Sequence, residues 1–227
     1  MDRMKQIIGC TLMVALAAVQ AQADVVTPAL PVANSSEFAD ADNLVNGSGL
    51  SGVGAVETQL HDNNENSMWQ SFNLGTGTSI GEWVEFDLQA NYDLSEAIIW
   101  QYNGLNGFGL PEPDRELDEV EISVSSDLVS PVVSIGTINM AAAQDPNVGG
   151  FNEPAQVFPL GAGASNVRRV RLTINSVQGG VDDGTAGLSE VRFRGTLVPE
   201  PTSAAIFAVG CYAIVGRRRR LRSTRST

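Results

Sequence analysis

Apolar and polar residues alternate with a period of two through most of the middle of the chain. In Trp83-Val84-Glu85-Phe86-Asp87-Leu88, the residues Val84, Phe86 and Leu88 share one face, and Glu85 and Asp87 the other. The same pattern recurs over Glu119–Val124, Arg169–Ile174 and Glu190–Arg194. Ala97–Tyr102 (AIIWQY) is more continuously apolar, which predicts a strand buried on both faces. Val132–Ile138 and Gln156–Leu160 are shorter strand candidates. Gly, Asn, Asp and Pro clusters separate these runs, and no body segment carries a 3.6-residue period with caps. Seven or eight strands between residues 24 and 198 predict an all-β antiparallel sandwich. Long loops are expected at Asn46–Gly54, Tyr102–Asp114 and Ala141–Pro154, and Trp69, Trp83 and Trp100 read as core anchors.

Both ends break the pattern. Arg3 and Lys5 precede an apolar stretch, Ile7–Val19, and the small-x-small triplet Ala21-Gln22-Ala23. This predicts a secretory signal helix over 1–23, cut before Asp24. A permanent N-terminal anchor would need about 20 apolar residues. At the other end, Pro199-Glu200-Pro201 breaks any helix, Thr202–Gly216 is largely apolar and uncharged, and Arg217, Arg218, Arg219 and Arg220 follow, then Arg222 and Arg225. As a helix the apolar run would reach ~22 Å, against ~30 Å of hydrocarbon, and snorkelling arginines with local thinning would close part of the gap. A short transmembrane helix with its arginines on the cytoplasmic side is expected, held either transiently or as a permanent anchor.

Charge sharpens this division. The chain has 227 residues, 14 basic and 26 acidic, for a net charge of −12. Residues 24–198 hold only six of the basic residues, all arginine, against 24 acids, a net of −18. Such a body repels nucleic acid and anionic lipid. Cys10 lies in the signal and Cys211 in the tail, so the processed domain has no disulfide and relies on its core or on a bound hard cation.

The tail, with Pro199-Glu200-Pro201, apolar helix and Arg217–Arg220 in that order, resembles the PEP-CTERM sorting signal of bacterial surface proteins. The resemblance implies an exosortase-type membrane protease as partner, transient membrane insertion, removal of residues 199–227, and a final place at the cell surface or outside it. It also implies a host that makes exopolysaccharide.

Within the body, Asn43–Leu50, Met68–Ser71, Trp83–Leu88, Ile98–Asn103, Arg115, Val120–Asp127 and Gly187–Phe193 follow one another in an order that resembles the discoidin, or coagulation factor 5/8 type C, domain. The resemblance covers about Val32 to Thr196 and implies a galactose-binding-like jelly roll. It further implies a structural Ca²⁺ held by Asn46, Ser48 and Glu190. Only one of these side chains is charged, so backbone carbonyls of the Gly-rich loop would have to complete the shell. The alternative is that Asn46-Gly47 is simply a turn and Glu190 a solvated strand residue. Asn46-Gly47 stands where the family has Asp-Gly, and Asp127 is followed by Leu128 instead of Gly.

Ligand contact is expected on loops at one end of the sandwich. Carbohydrate sites pair an aromatic platform with planar hydrogen-bonding groups, which singles out Tyr102, Asn103, Phe108 and Arg115, with Asn106 beside them. The competing reading has the aromatics packing and Arg115 offsetting Asp114, Glu116 and Asp118. Arg169, Arg171, Arg192 and Arg194 lie on wet strand faces, where Glu119 and Glu121 offer cross-strand partners. His61-Asp62-Asn63-Asn64-Glu65 has metal-binding residue types but one histidine, and reads as a surface loop. No nucleophile elbow, phosphate loop or isolated acid pair supports catalysis. The expected function is an exported, non-catalytic module that binds glycan or exopolysaccharide. The alternative is a structural or adhesion protein of the surface coat that binds protein.

Overall fold

The strands form where the alternation predicts them, because each can hide one apolar face. The computed structural model describes residues 23–33, 36–72, 77–105, 109–144, 152–180 and 183–199. Ala21, Phe108, Glu200, Pro201 and Arg217–Arg220 lie outside the described residues, as do the expected signal and tail helices; Ala23 and Pro199 are their exposed boundary. Among the described residues no helix is long and apolar enough to cross a membrane.

Eleven strands are described: β1 (Asp24–Val26), β2 (Ala29–Ala33), β3 (Ser36–Ala39), β4 (Leu60–His61), β5 (Trp69–Phe72) and β6 (Trp83–Gln101) come first. They are followed by β7 (Glu119–Ser125), β8 (Val133–Asn139), β9 (Glu153–Pro159), β10 (Val167–Ile174) and β11 (Gly187–Leu197). All pairings between these strands are antiparallel.

The long β6 joins the two layers of the sandwich. Its first half pairs with β10 and β2, and β10 continues through β7 to β8. Its second half pairs with β11 and β9, and β11 continues to β5 and β3. The pairing with β10 is interrupted between Asp87 and Tyr92, around Gln89, which has φ +64° and whose N–H donates to Asp87 Oδ1 at 2.7 Å. The sequence predicts two separate strands here, Trp83–Leu88 and Ala97–Tyr102. The intervening Tyr92, Asp93 and Leu94 are carried into one element by pairing with Leu197, Thr196 and Gly195.

The core lies between the layers. Val84, Phe86, Leu88, Val120, Ile122, Val170 and Leu172 face Ala97, Ile99, Leu188, Val191 and Phe193, all buried. Phe86 and Phe193 meet edge to face with centroids 6.0 Å apart, one ring from each layer. The outer face of the β11–β6 layer is covered as well. The segment from Asn46 to Gln59 lies across it, and Trp100 Nε1 donates to the Gln59 carbonyl at 3.0 Å. That cover is why Ala97–Trp100 reads as apolar throughout.

Three expectations are corrected. His61 is no surface-loop residue: it is fully buried in β4, which pairs with β9. Arg169 and Arg171 both pair with Glu85, at 3.0 and 2.8 Å, and neither pairs with Glu119 or Glu121. Register decides this, since Arg171 stands opposite Glu85 whereas Glu121 stands opposite Thr173. Glu119 instead accepts from Asn175. Trp69 and Trp100 are core anchors, but Trp83 is half-buried, with the Arg171 guanidinium stacked 4.0 Å from its ring centroid.

Phe193→Ala is expected to lower unfolding stability by about 3–5 kcal/mol, because the cavity would open between both layers. Urea unfolding of the variant beside the parent chain measures it.

Candidate functional site

The C-terminal end of β6 runs into the loop end of the sandwich and carries Gln101, Tyr102 and Asn103, all buried. Gln101 fastens the surrounding loops. Its Nε2 donates to the Leu117 carbonyl at 2.6 Å and the Ala141 carbonyl at 3.2 Å, and its Oε1 accepts from the Leu117 N–H at 3.0 Å. Tyr102 is 0% exposed. Its ring is packed so closely that a Cβ at Gly104 would stand 2.4 Å from the hydroxyl, and one at Gly187 2.7 Å from Cδ2. Glycine at both positions is a matter of space.

The Tyr102 hydroxyl organises a closed ring of polar groups. Gln70 Nε2 donates to it at 2.8 Å, and it donates to Glu112 Oε2 at 3.0 Å. Arg115 Nη1 donates to Gln70 Oε1 at 2.9 Å and pairs with the same Glu112 oxygen at 2.8 Å. Burial pushes the Tyr102 phenol well above its ordinary pKa, with the Glu112 charge adding to it, so the hydroxyl stays a donor. Burial also raises the Glu112 carboxyl, and the Arg115 guanidinium opposes that rise. The short turn Pro113–Arg115 aims both charged groups at this point, and the Leu105–Pro111 bridge closes the loop ahead of it. Arg115 Nε is buried with no hydrogen-bond partner among the described residues.

Of the four predicted ligand residues, Tyr102 and Arg115 are therefore brought together. Tyr102 is not an exposed sugar platform, because both its ring and its hydroxyl are used internally. Asn103 presents no surface either: it is buried, and its Nδ2 donates to Asn152 Oδ1 at 3.1 Å. Arg115 keeps partial access to solvent, as does Glu112. Gln70 and Glu112 were missed in the sequence. A glutamine inside the apolar Met68–Phe72 run, and an acid held between Pro111 and Pro113, were the available signals.

The predicted calcium donors meet on the outer face of β11. Glu190 is 0% exposed, and its carboxylate forms an ion pair with Arg192, two residues along the same strand face. The backbone N–H of Gly47 also faces the carboxylate, although neither oxygen has a fully aligned hydrogen bond. Burial pushes Glu190 up to about 8, against the pull of Arg192 and the Gly47 N–H. Asn46 Oδ1 accepts from the Ser48 N–H at 2.6 Å, closing a side-chain turn, and Asn46 Nδ2 donates to Asn43 Oδ1 at 3.2 Å. Asn46, Ser48 and Glu190 are thus neighbours, but the carboxylate is already matched by a guanidinium, and Asn46 Oδ1 already accepts one hydrogen bond. That arrangement does not fit an ion needing six to eight oxygens. Among the described residues no group of three His, Cys, Asp or Glu is placed to hold a metal.

A second acid pair secures the loop after β8. Glu116 Oε2 accepts from the Ala143 N–H at 2.9 Å and Glu153 Oε2 from the Gln144 N–H at 2.7 Å. Both carboxyls are buried. Burial, with Glu116 adding repulsion, raises Glu153 to about 8, and burial raises Glu116 as well.

No protein-family model matches the chain, and no curated protein does. Solved structures share its fold. A truncated AlyQ with CBM32 and alginate lyase domains is 14% identical, with a TM-score of 0.50, over 80% of this chain and 35% of that one. The family 32 CBM of Clostridium perfringens NanJ, solved in complex with galactose, is 12% identical with a TM-score of 0.48, over 76% of this chain and 99% of that one. An F5/8 type C domain from Bacteroides fragilis is 12% identical with a TM-score of 0.46, over 78% and 98%. At its identity the likeness to AlyQ is one of fold alone, an all-β antiparallel sandwich.

Tyr102→Phe is expected to cost about 1–3 kcal/mol, because it leaves Gln70 Nε2 and the Glu112 carboxyl without their buried partner. Guanidinium unfolding checks the value. Glu153 binds its proton more tightly folded than unfolded, so between its ordinary 4.5 and about 8 the folded state holds more protons and stability falls as pH rises. The melting temperature is expected to decline from pH 5 to pH 8, and Glu153→Gln, which still accepts from Gln144, to decline less over the same range.

Proposed function

We propose that the chain is an exported, non-catalytic module that retains glycan, including exopolysaccharide, at the cell surface or in the extracellular matrix. The observation that carries this reading is the Tyr102–Gln70–Glu112–Arg115 ring at the loop end. Sugar hydroxyls both donate and accept, and they are recognised by planar groups held in advance. Arg115 offers fixed N–H donors and Glu112 carboxylate acceptors. Both are only partly exposed, and both are held by a buried phenol and a buried amide, so little side-chain freedom is left to lose on binding. The shared fold with AlyQ, a chain that carries a module named for carbohydrate binding, supports the same reading.

The place of action follows from the ends of the chain. The signal over residues 1–23 directs export with cleavage after Ala23. The tail from Pro199 inserts in the membrane until an exosortase-type protease removes it.

Arg115→Ala is expected to weaken retention on the host's exopolysaccharide at least about tenfold, as for loss of a charged hydrogen-bonding group, and to shift the melting temperature by only a few degrees. Affinity electrophoresis measures it, and unchanged retention would remove Arg115 from the site. Cells lacking the exosortase are expected to keep the tail-bearing form in their membranes. Equal tail removal with and without the protease, on immunoblots, would defeat the sorting reading.

A further inference from the structure

A carboxylate taken out of water needs a positive charge beside it. An exported domain without cysteine has two ways to supply one at Glu190: a bound hard cation, or a basic side chain of its own. We propose that Arg192 is a built-in cation, with its guanidinium standing where a divalent ion would bridge Glu190 to the Asn46–Ser48 loop, so that this loop is held on β11 without calcium.

Four observations converge. Glu190 and Arg192 are two residues apart on β11, so the strand places both side chains on one face with no hinge between them. Arg192 is itself 7% exposed, and its Nη1 also donates to the Val191 carbonyl at 3.1 Å, which fixes the guanidinium. Gly47 closes directly over it, since a Cβ there would lie 3.8 Å from Arg192 Nη2. Two side-chain oxygens near the loop already accept hydrogen bonds. Asn46 Oδ1 takes the Ser48 N–H, and Asp62 Oδ1 takes the Ser67 hydroxyl at 2.6 Å. Burial lowers the pKa of His61, so it adds no competing charge. A divalent ion entering beside Glu190 would meet a carboxylate already paired with a guanidinium, whose charge has the same sign as the ion's.

The glycine at position 49 belongs to the same device. It has φ +83°, and a Cβ would come 2.4 Å from His61 Cε1. The loop can therefore sink onto β4 and β11 by its backbone alone, and an arginine is long enough to reach it from below. Unlike a metal ion, an arginine cannot be removed by a chelator.

The test uses the purified full chain, stripped with EDTA and titrated with calcium chloride by isothermal calorimetry and thermal unfolding. The parent chain is expected to give no binding heat, and a melting shift below about 1 °C at millimolar calcium. Arg192→Met is expected to lower the melting temperature by about 10 °C or more, and adding Glu190→Gln to recover part of that loss, because the second change removes a buried carboxyl that has lost its partner. Should Arg192→Met not fold, Arg192→Lys keeps the charge and loses the planar fork; intermediate stability, unaltered by EDTA, is then the supporting result. Saturable calcium binding by the parent chain that Glu190→Gln abolishes would overturn the proposal. So would an Arg192→Met variant that melts with the parent.

Discussion

A carboxylate held partly or wholly out of water must be met by a charge or by hydrogen bonds, and four such groups fasten the loops and outer face of this sandwich. Glu190 is met by Arg192, and Glu112 by Arg115 with the Tyr102 hydroxyl. Glu116 and Glu153 are met by the consecutive backbone N–H groups of Ala143 and Gln144. Two of these solutions tie a loop to a strand: the Glu112–Arg115 turn to β5 through Gln70, and the segment after β8 to β9 through Glu153. In a domain without disulfides these polar ties do work that packing cannot do at the rim, where the apolar core ends.

The same demand governs the arginines. All six of the body stand against a carboxylate: Arg115 on Glu112, Arg168 on Asp87, Arg169 and Arg171 on Glu85, Arg192 on Glu190, and Arg194 on Glu57 and Glu96. Positive charge is used inside the fold and at its seams, and residues 24–198 keep a formal surplus of 18 acids over bases. Polyanions are repelled by such a surface. Glu112 and Arg115 are distinctive because their pair keeps an edge to solvent while its other contacts are buried.

The layers were legible because alternation is a direct record of one face in and one face out. Val84, Phe86 and Leu88 obey it, as do Val170, Leu172 and Ile174. What alternation does not record is which strand lies beside which. Arg169 and Arg171 were placed correctly on a polar face, yet their partner Glu85 is set by the pairing of β10 with β6. The short strands β1 to β5 have too few residues to show a period. His61 follows for the same reason: its burial comes from pairing with β9 and from Gly49 above it, neither of which marks the sequence near residue 61. At the candidate site, Arg115 was visible as an isolated basic residue and Tyr102 as an aromatic at a strand end. That Tyr102 serves as a buried support could be seen only once Gly104 and Gly187 were placed against its ring.

The role of the loop end is tested most directly by mapping backbone amide shifts while the isotopically labelled chain is titrated with oligosaccharides cut from the host's exopolysaccharide. Shifts gathered at Gln70, Glu112–Glu116 and Gly184–Gly187, saturating together, are the expected result. Shifts confined to the outer face of β10 and β7, or none at saturating sugar, would contradict it.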